Sequence, residues 1–101
     1  MNPDHHNNFI DLFDALASLG SKEEARKFMI DLCTPSEINA FMERWKVCQL
    51  LNCKKYSYRE IKEILGASLT TIGRVARFLN DEPYQGYKNL LDKIQKQEEK
   101  R

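Results

Sequence analysis

Apolar residues recur at helical spacing along most of the chain, and the polar residues between them mark where each helix starts and stops. Phe9, Ile10, Leu12, Phe13, Leu16 and Leu19 lead to Gly20, a helix stop. Ser21 and Glu24 have the spacing of a capping box, and Ala25, Phe28, Met29 and Leu32 give the next helix its apolar face. Thr34, Pro35 and Glu37 supply a cap, a first-turn proline and a capping carboxylate to a third and longest helix. Ile38, Phe41, Met42, Trp45, Cys48, Leu51 and Asn52 lie along one side of it. Ala40, Val47 and Leu50 lie elsewhere, so it is apolar over more than one stripe. Two short helices follow around Gly66, and Pro83 separates a last helix carrying Tyr87, Leu90, Leu91 and Ile94. The polar ends, 1–8 and 96–101, are expected to be flexible. The pattern predicts an all-α chain of six helices with short connections and no strand.

The segment 57–79 carries the most information. Ser57 and Glu60 form a capping box, Gly66 supplies a left-handed turn, and Ser68 caps a second helix. Ile61, Leu65, Ala67, Ile72 and Val75 fall where a helix-turn-helix locks its two helices together. Arg59, Lys62, Thr70, Thr71, Arg74 and Arg77 then face outward, side chains suited to phosphates and base edges. Lys62 stands where the first helix usually has a small residue, so its side chain must leave the crossing.

With 101 residues, 42% of them hydrophobic, the chain can fold as one domain, 1–101, with a modest core. No apolar run approaches the ~20 residues that span a bilayer, and the N-terminus has no secretory pattern. Cys33, Cys48 and Cys53 have no zinc spacing and read as small apolar residues of a reducing cytoplasm; His5 and His6 sit in a polar tail. No metal or cofactor is expected. No nucleophile–base arrangement or phosphate-cradling loop points to an enzyme. The net charge of +1 conceals an asymmetry. From Arg44 to Arg77 eight cations face two carboxylates, an excess of six that leaves −5 on the remainder. This excess coincides with the helix-turn-helix, as an electrostatic footprint for nucleic acid requires. Phe9, Phe13, Leu16, Phe28, Phe41, Met42 and Trp45 are more large apolar surface than a monomer of this size hides, which suggests an interface.

Taken in order, LCTPSEINAFMERWKVCQLL and YSYREIKEILGASLTTIGRV resemble the Trp repressor superfamily over 32–79 without a gap, and RVARFL with GYKNLL resembles its YerC/YecD branch. The resemblance implies a six-helix fold in an intertwined homodimer, binding double-stranded DNA at a palindromic operator. Arg59 falls where the family reads a base, and Lys62 at another DNA-contacting position. Leu69, Thr70, Thr71 and Gly73 match the tip and exposed side of the recognition helix, with Arg74 beyond them. Lys54, Tyr56 and Tyr58 fall near phosphates.

The resemblance also places an effector pocket. Arg44 and Arg74 match the arginines that sandwich an indole in the tryptophan-responsive members, and Thr34 matches a contributor from the partner chain. Val75 stands where that pocket has glycine, and Phe78 where it has a serine that meets the ligand's amino group. Both changes fill space, and the second strands a buried ammonium, a cost on the order of several kcal/mol. The expected function is therefore a homodimeric, cytoplasmic, DNA-binding transcriptional regulator that does not respond to L-tryptophan. Repression fits best, since occluding a promoter needs no further surface. The alternative is a helical protein-interaction module that docks through the 84–94 helix and the aromatic N-terminal helices.

Overall fold

A computed structural model describes residues 9–100. The tail 1–8, with His5 and His6, and Arg101 lie outside the described residues. Among the described residues there are six helices and no strand: α1 (Leu12–Ala17), α2 (Lys22–Leu32), α3 (Pro35–Cys53), α4 (Tyr58–Leu65), α5 (Leu69–Asn80) and α6 (Gly86–Glu99). The chain divides into two units, Met1–Ile38 and Asn39–Arg101.

In the first unit, local hydrogen bonds set the helix ends. The Asp11 carboxylate accepts from the Asp14 amide at 2.9 Å, so α1 begins at Leu12 rather than at Phe9. Ser18 turns its hydroxyl back onto the Asp14 carbonyl at 2.9 Å, and α1 ends at Ala17, short of the apolar pattern that reaches Leu19. The capping box at Ser21 is only half made. Its hydroxyl accepts from the Glu24 amide, but the Glu24 carboxylate accepts from Gly20 instead of Ser21. At the start of α3 the box is complete. The Thr34 amide donates to Glu37 at 2.8 Å and the Glu37 amide donates to the Thr34 hydroxyl at 3.2 Å. These bonds favour the carboxylate, so the Glu37 carboxyl is held below its ordinary range, chiefly by the Thr34 amide. Neither α1 nor α2 has a buried residue, and Phe9, Ile10 and Phe13 are all exposed.

The core lies in the second unit. Val47, Cys48, Ile61, Ala67, Ile72, Val75 and Leu79 form one buried cluster, with Trp45, Leu50, Leu51, Leu65, Tyr87 and Leu91 packed around it. Thus α3, α4, the glycine turn, α5 and α6 all contribute to one apolar centre. Along α3 the buried residues are Val47 and Cys48, while Phe41 and Met42 of the expected stripe are exposed. A helix apolar on several sides leaves the choice of buried side to its neighbours. Burial pushes the Cys48 thiol up to about 11, which makes it an inert packing group. At the C-terminal end α6 continues through Glu99.

Candidate nucleic-acid interface

The local sequence sets the α4–α5 pair almost residue by residue. The Ser57 amide donates to Glu60 Oε1 at 2.9 Å and the Glu60 amide donates to Ser57 Oγ at 3.1 Å. That reciprocal pair starts α4 and holds the Glu60 carboxyl below its usual range, mainly through the Ser57 amide. Gly66, at φ 73° and ψ 11°, ends α4 with its amide on the Lys62 carbonyl. A left-handed residue of this kind is what glycine adopts without a Cβ penalty. Ser68 then caps α5 by accepting from the Thr71 amide at 3.1 Å. The same hydroxyl bonds Thr71 Oγ1 at 3.0 Å, tying Thr71 into the cap.

Helical periodicity divides the pair into two faces. Ile61, Ala67, Ile72 and Val75 are fully buried or nearly so, and Leu65 is half-buried. The side chains spaced between them point the other way. Arg59, Lys62, Leu69, Thr70, Arg74 and Arg77 are exposed, whereas Thr71 and Gly73 are half-buried. The Lys62 side chain leaves the crossing for solvent, as its length requires. Arg59, Lys62, Glu63 and Leu69 line a shallow groove where α4 meets the start of α5. Upstream, Lys54, Tyr56 and Tyr58 are exposed in and after the α3–α4 connection. Lys54 adopts a left-handed backbone at φ 60°, an uncommon state for a residue with a Cβ, and so ends α3. Arg77 lies 3.6 Å from Glu82, while Arg59, Lys62 and Arg74 form no ion pair among the described residues. The surface therefore offers uncompensated cations, two tyrosines and the Thr70 hydroxyl.

The expected effector residues are distributed differently from one another. Val75, 1% exposed, is a core residue and faces no opening. Phe78 is half-buried beneath two guanidinium groups, with Arg74 Cζ 4.5 Å and Arg77 Cζ 5.1 Å from its ring centroid. Tyr84 stacks on the same ring at 6.4 Å and 17°. Arg44 instead lies over Phe41, 5.7 Å from its centroid. The charges of Arg44 and Arg74 both reach Tyr87, where they oppose the burial that raises its phenol. Thr34 lies in the first unit, where its hydroxyl and amide are used in the α3 cap.

Sequence reasoning passed over two of these groups. Glu63 is not among the expected site residues, yet it lines the groove; its position four residues after Arg59 is the available signal. Tyr84 read as part of a separate docking helix, and nothing in its spacing ties it to Phe78. Among the described residues no cluster of histidine, cysteine or carboxylate side chains is placed to hold a metal ion. No helix among them is long and apolar enough to cross a membrane.

Comparison with known proteins gives three concordant matches. The family model described as Trp repressor protein matches residues 7–95. The uncharacterized protein YerC of Bacillus subtilis is 37% identical over 87 residues, which covers 86% of this chain and 82% of that protein. The crystal structure of a TrpR-like protein from Eubacterium eligens superposes with a TM-score of 0.75 at 37% identity, covering 82% of this chain and 84% of that one.

Proposed function

Because the chain belongs to the Trp repressor family, we propose that it is a sequence-specific DNA-binding transcriptional regulator whose reading head is the α4–α5 helix-turn-helix. One observation carries the reading. The pair buries one apolar face and leaves Arg59, Lys62, Thr70 and Arg74 exposed, without ion-pair partners, on the other. Uncompensated cations on a rigid helix pair attract phosphates by counterion release, and arginine and threonine add base-edge hydrogen bonds. Lys54, Tyr56 and Tyr58 contribute backbone contacts beside the head, and Thr71 and Gly73 shape the exposed side of α5.

The functional unit is a homodimer in the bacterial cytoplasm. The start of α1 and the residues just before it supply apolar surface for it, since Phe9, Ile10, Leu12 and Phe13 are exposed in the single chain. Two heads about one DNA turn apart read a palindromic operator, and occupancy of that operator represses transcription. L-tryptophan is not an effector. Val75 belongs to the core, and the Phe78 ring already lies under the Arg74 guanidinium that an added aromatic ligand needs.

The test is a binding selection on genomic fragments by the purified protein, with and without L-tryptophan. A palindromic motif recovered equally in both conditions supports the whole reading. Recovery only with tryptophan overturns effector independence. If nothing is enriched at low salt, the interaction-module reading takes its place.

A further inference from the structure

We propose that Leu69 reads the C5 methyl group of a pyrimidine, supplied by thymine or 5-methylcytosine, at the groove it shares with Arg59, Lys62 and Glu63. The inference rests on the DNA-binding reading above and deepens it. Leu69 is 53% exposed and takes no part in the core cluster, although it is the first residue of a helix in which Ile72, Val75, Ala76 and Leu79 are all buried. Its backbone is fixed by the Ser68 cap on either side of it, through the Thr71 amide and hydroxyl. The Cα–Cβ bond of Leu69 thus leaves a fixed backbone toward solvent, the placement of a reader and not of a packing residue.

The groove itself narrows what the leucine meets. It combines two cations, one carboxylate and one branched apolar side chain. A phosphate clamp has no use for Glu63, whose charge repels the backbone. The edge of a base pair in the major groove matches the whole set, because it carries acceptors for arginine, an amino donor for a carboxylate and, on thymine, a methyl group. Of the four residues only Leu69 can hold that methyl by contact.

The experiment starts from duplexes that the full chain enriches from a random-sequence pool. Each thymine in turn is replaced by deoxyuridine, which removes the methyl and nothing else. At one position per half-site, loss of the methyl should weaken binding about fourfold, the value of one buried methyl group. At that position Leu69→Ala should bind thymine and deoxyuridine equally. Placing cytosine and 5-methylcytosine there separates the sources. A gain from cytosine to 5-methylcytosine, like the loss from thymine to deoxyuridine, supports a methyl reader, and whichever methylated base then binds more tightly is assigned as the source. Deoxyuridine tolerated at every position overturns the proposal while leaving DNA binding intact. So does a Leu69→Ala protein that keeps the full deoxyuridine penalty. A pool from which nothing is enriched overturns the DNA-binding reading and this inference together. Far-UV circular dichroism of Leu69→Ala should match the parent, since an exposed leucine replaced by the best helix former leaves the core untouched.

Discussion

If α4 and α5 bind DNA as proposed, replacing Phe78 with alanine should separate two ways in which the α5 arginines would serve that binding. The ring lies 4.5 Å from Arg74 Cζ and 5.1 Å from Arg77 Cζ, and both guanidinium groups lie within the ~6 Å reach of a cation–π contact. Each contact at a solvent-facing site is worth about 0.5–1 kcal/mol. The stacked Tyr84 ring adds roughly as much again, so Phe78→Ala should cost about 2 kcal/mol of folding stability. The functional consequence is smaller and more specific. An arginine resting on a ring has already lost part of its rotamer freedom, and freeing it returns an ordering cost of about 1 kcal/mol to the binding step, roughly fivefold in affinity. The number of cations is unchanged, so the slope of log affinity against log salt should not move. Arg74→Ala removes one cation, and its slope should flatten by about 0.9 for each phosphate that the arginine neutralised. Fluorescence anisotropy across a salt series reads both quantities, at a temperature where circular dichroism shows each variant folded. If Phe78→Ala binds as tightly as the parent, or flattens the salt slope as Arg74→Ala does, the ring is not ordering the arginine.

The remaining outcomes follow from the geometry. A Cβ added at Gly66 meets no atom within 4 Å, so Gly66→Ala should cost only its backbone strain at φ 73°, about 1–2 kcal/mol by urea denaturation. Lys54→Gly should do the reverse, gaining about 0.5 kcal/mol net of glycine's larger unfolded-state freedom while weakening DNA binding. Ile72→Ala, at a fully buried position, should cost about 3 kcal/mol in the same assay. The Glu37 and Glu60 carboxyls are depressed by the amides they accept from. Their caps therefore stabilise the fold above the ordinary value of 4.5 and are lost as pH falls below it through the lower folded values. Glu60→Gln keeps an acceptor but no titration, so its melting temperature should fall less than the parent's between about pH 6 and pH 3.

The parts of the fold legible in the sequence are those fixed by neighbours in the chain. Thr34 with Glu37, Ser57 with Glu60, Ser68 and Gly66 all act within four residues, and each appears where its spacing placed it. Ile61, Ala67, Ile72 and Val75 were likewise readable as inward positions, because two amphipathic helices joined by a tight turn leave few ways to pack. The α3 helix was not readable in this way. With apolar residues on several sides its period selects no face, and Val47 is buried where Phe41 and Met42 are not. At α1 the hydrogen bonds of Asp11 and Ser18 overrode a longer apolar pattern. In the candidate site the exposed positions could be counted from the helix period, apart from Thr71, whose hydroxyl is drawn into the Ser68 cap and which is half-buried. The pairing of Arg74 with Phe78 and Tyr84 could not, since it depends on how the chain turns after α5.

Under the proposed DNA-binding function, the division of α4 and α5 into a buried and an exposed set bears on how such a protein changes over generations. Every fully buried side chain of the pair lies on the face opposite Arg59, Lys62, Leu69 and Thr70. Exposed positions tolerate substitution within about 0.5 kcal/mol, whereas the buried ones do not. Drift in what the head recognises is therefore nearly free of selection for folding. On that reading, two paralogues diverge to different operators by changing four side chains, each keeping the same core, the same caps and the same turn.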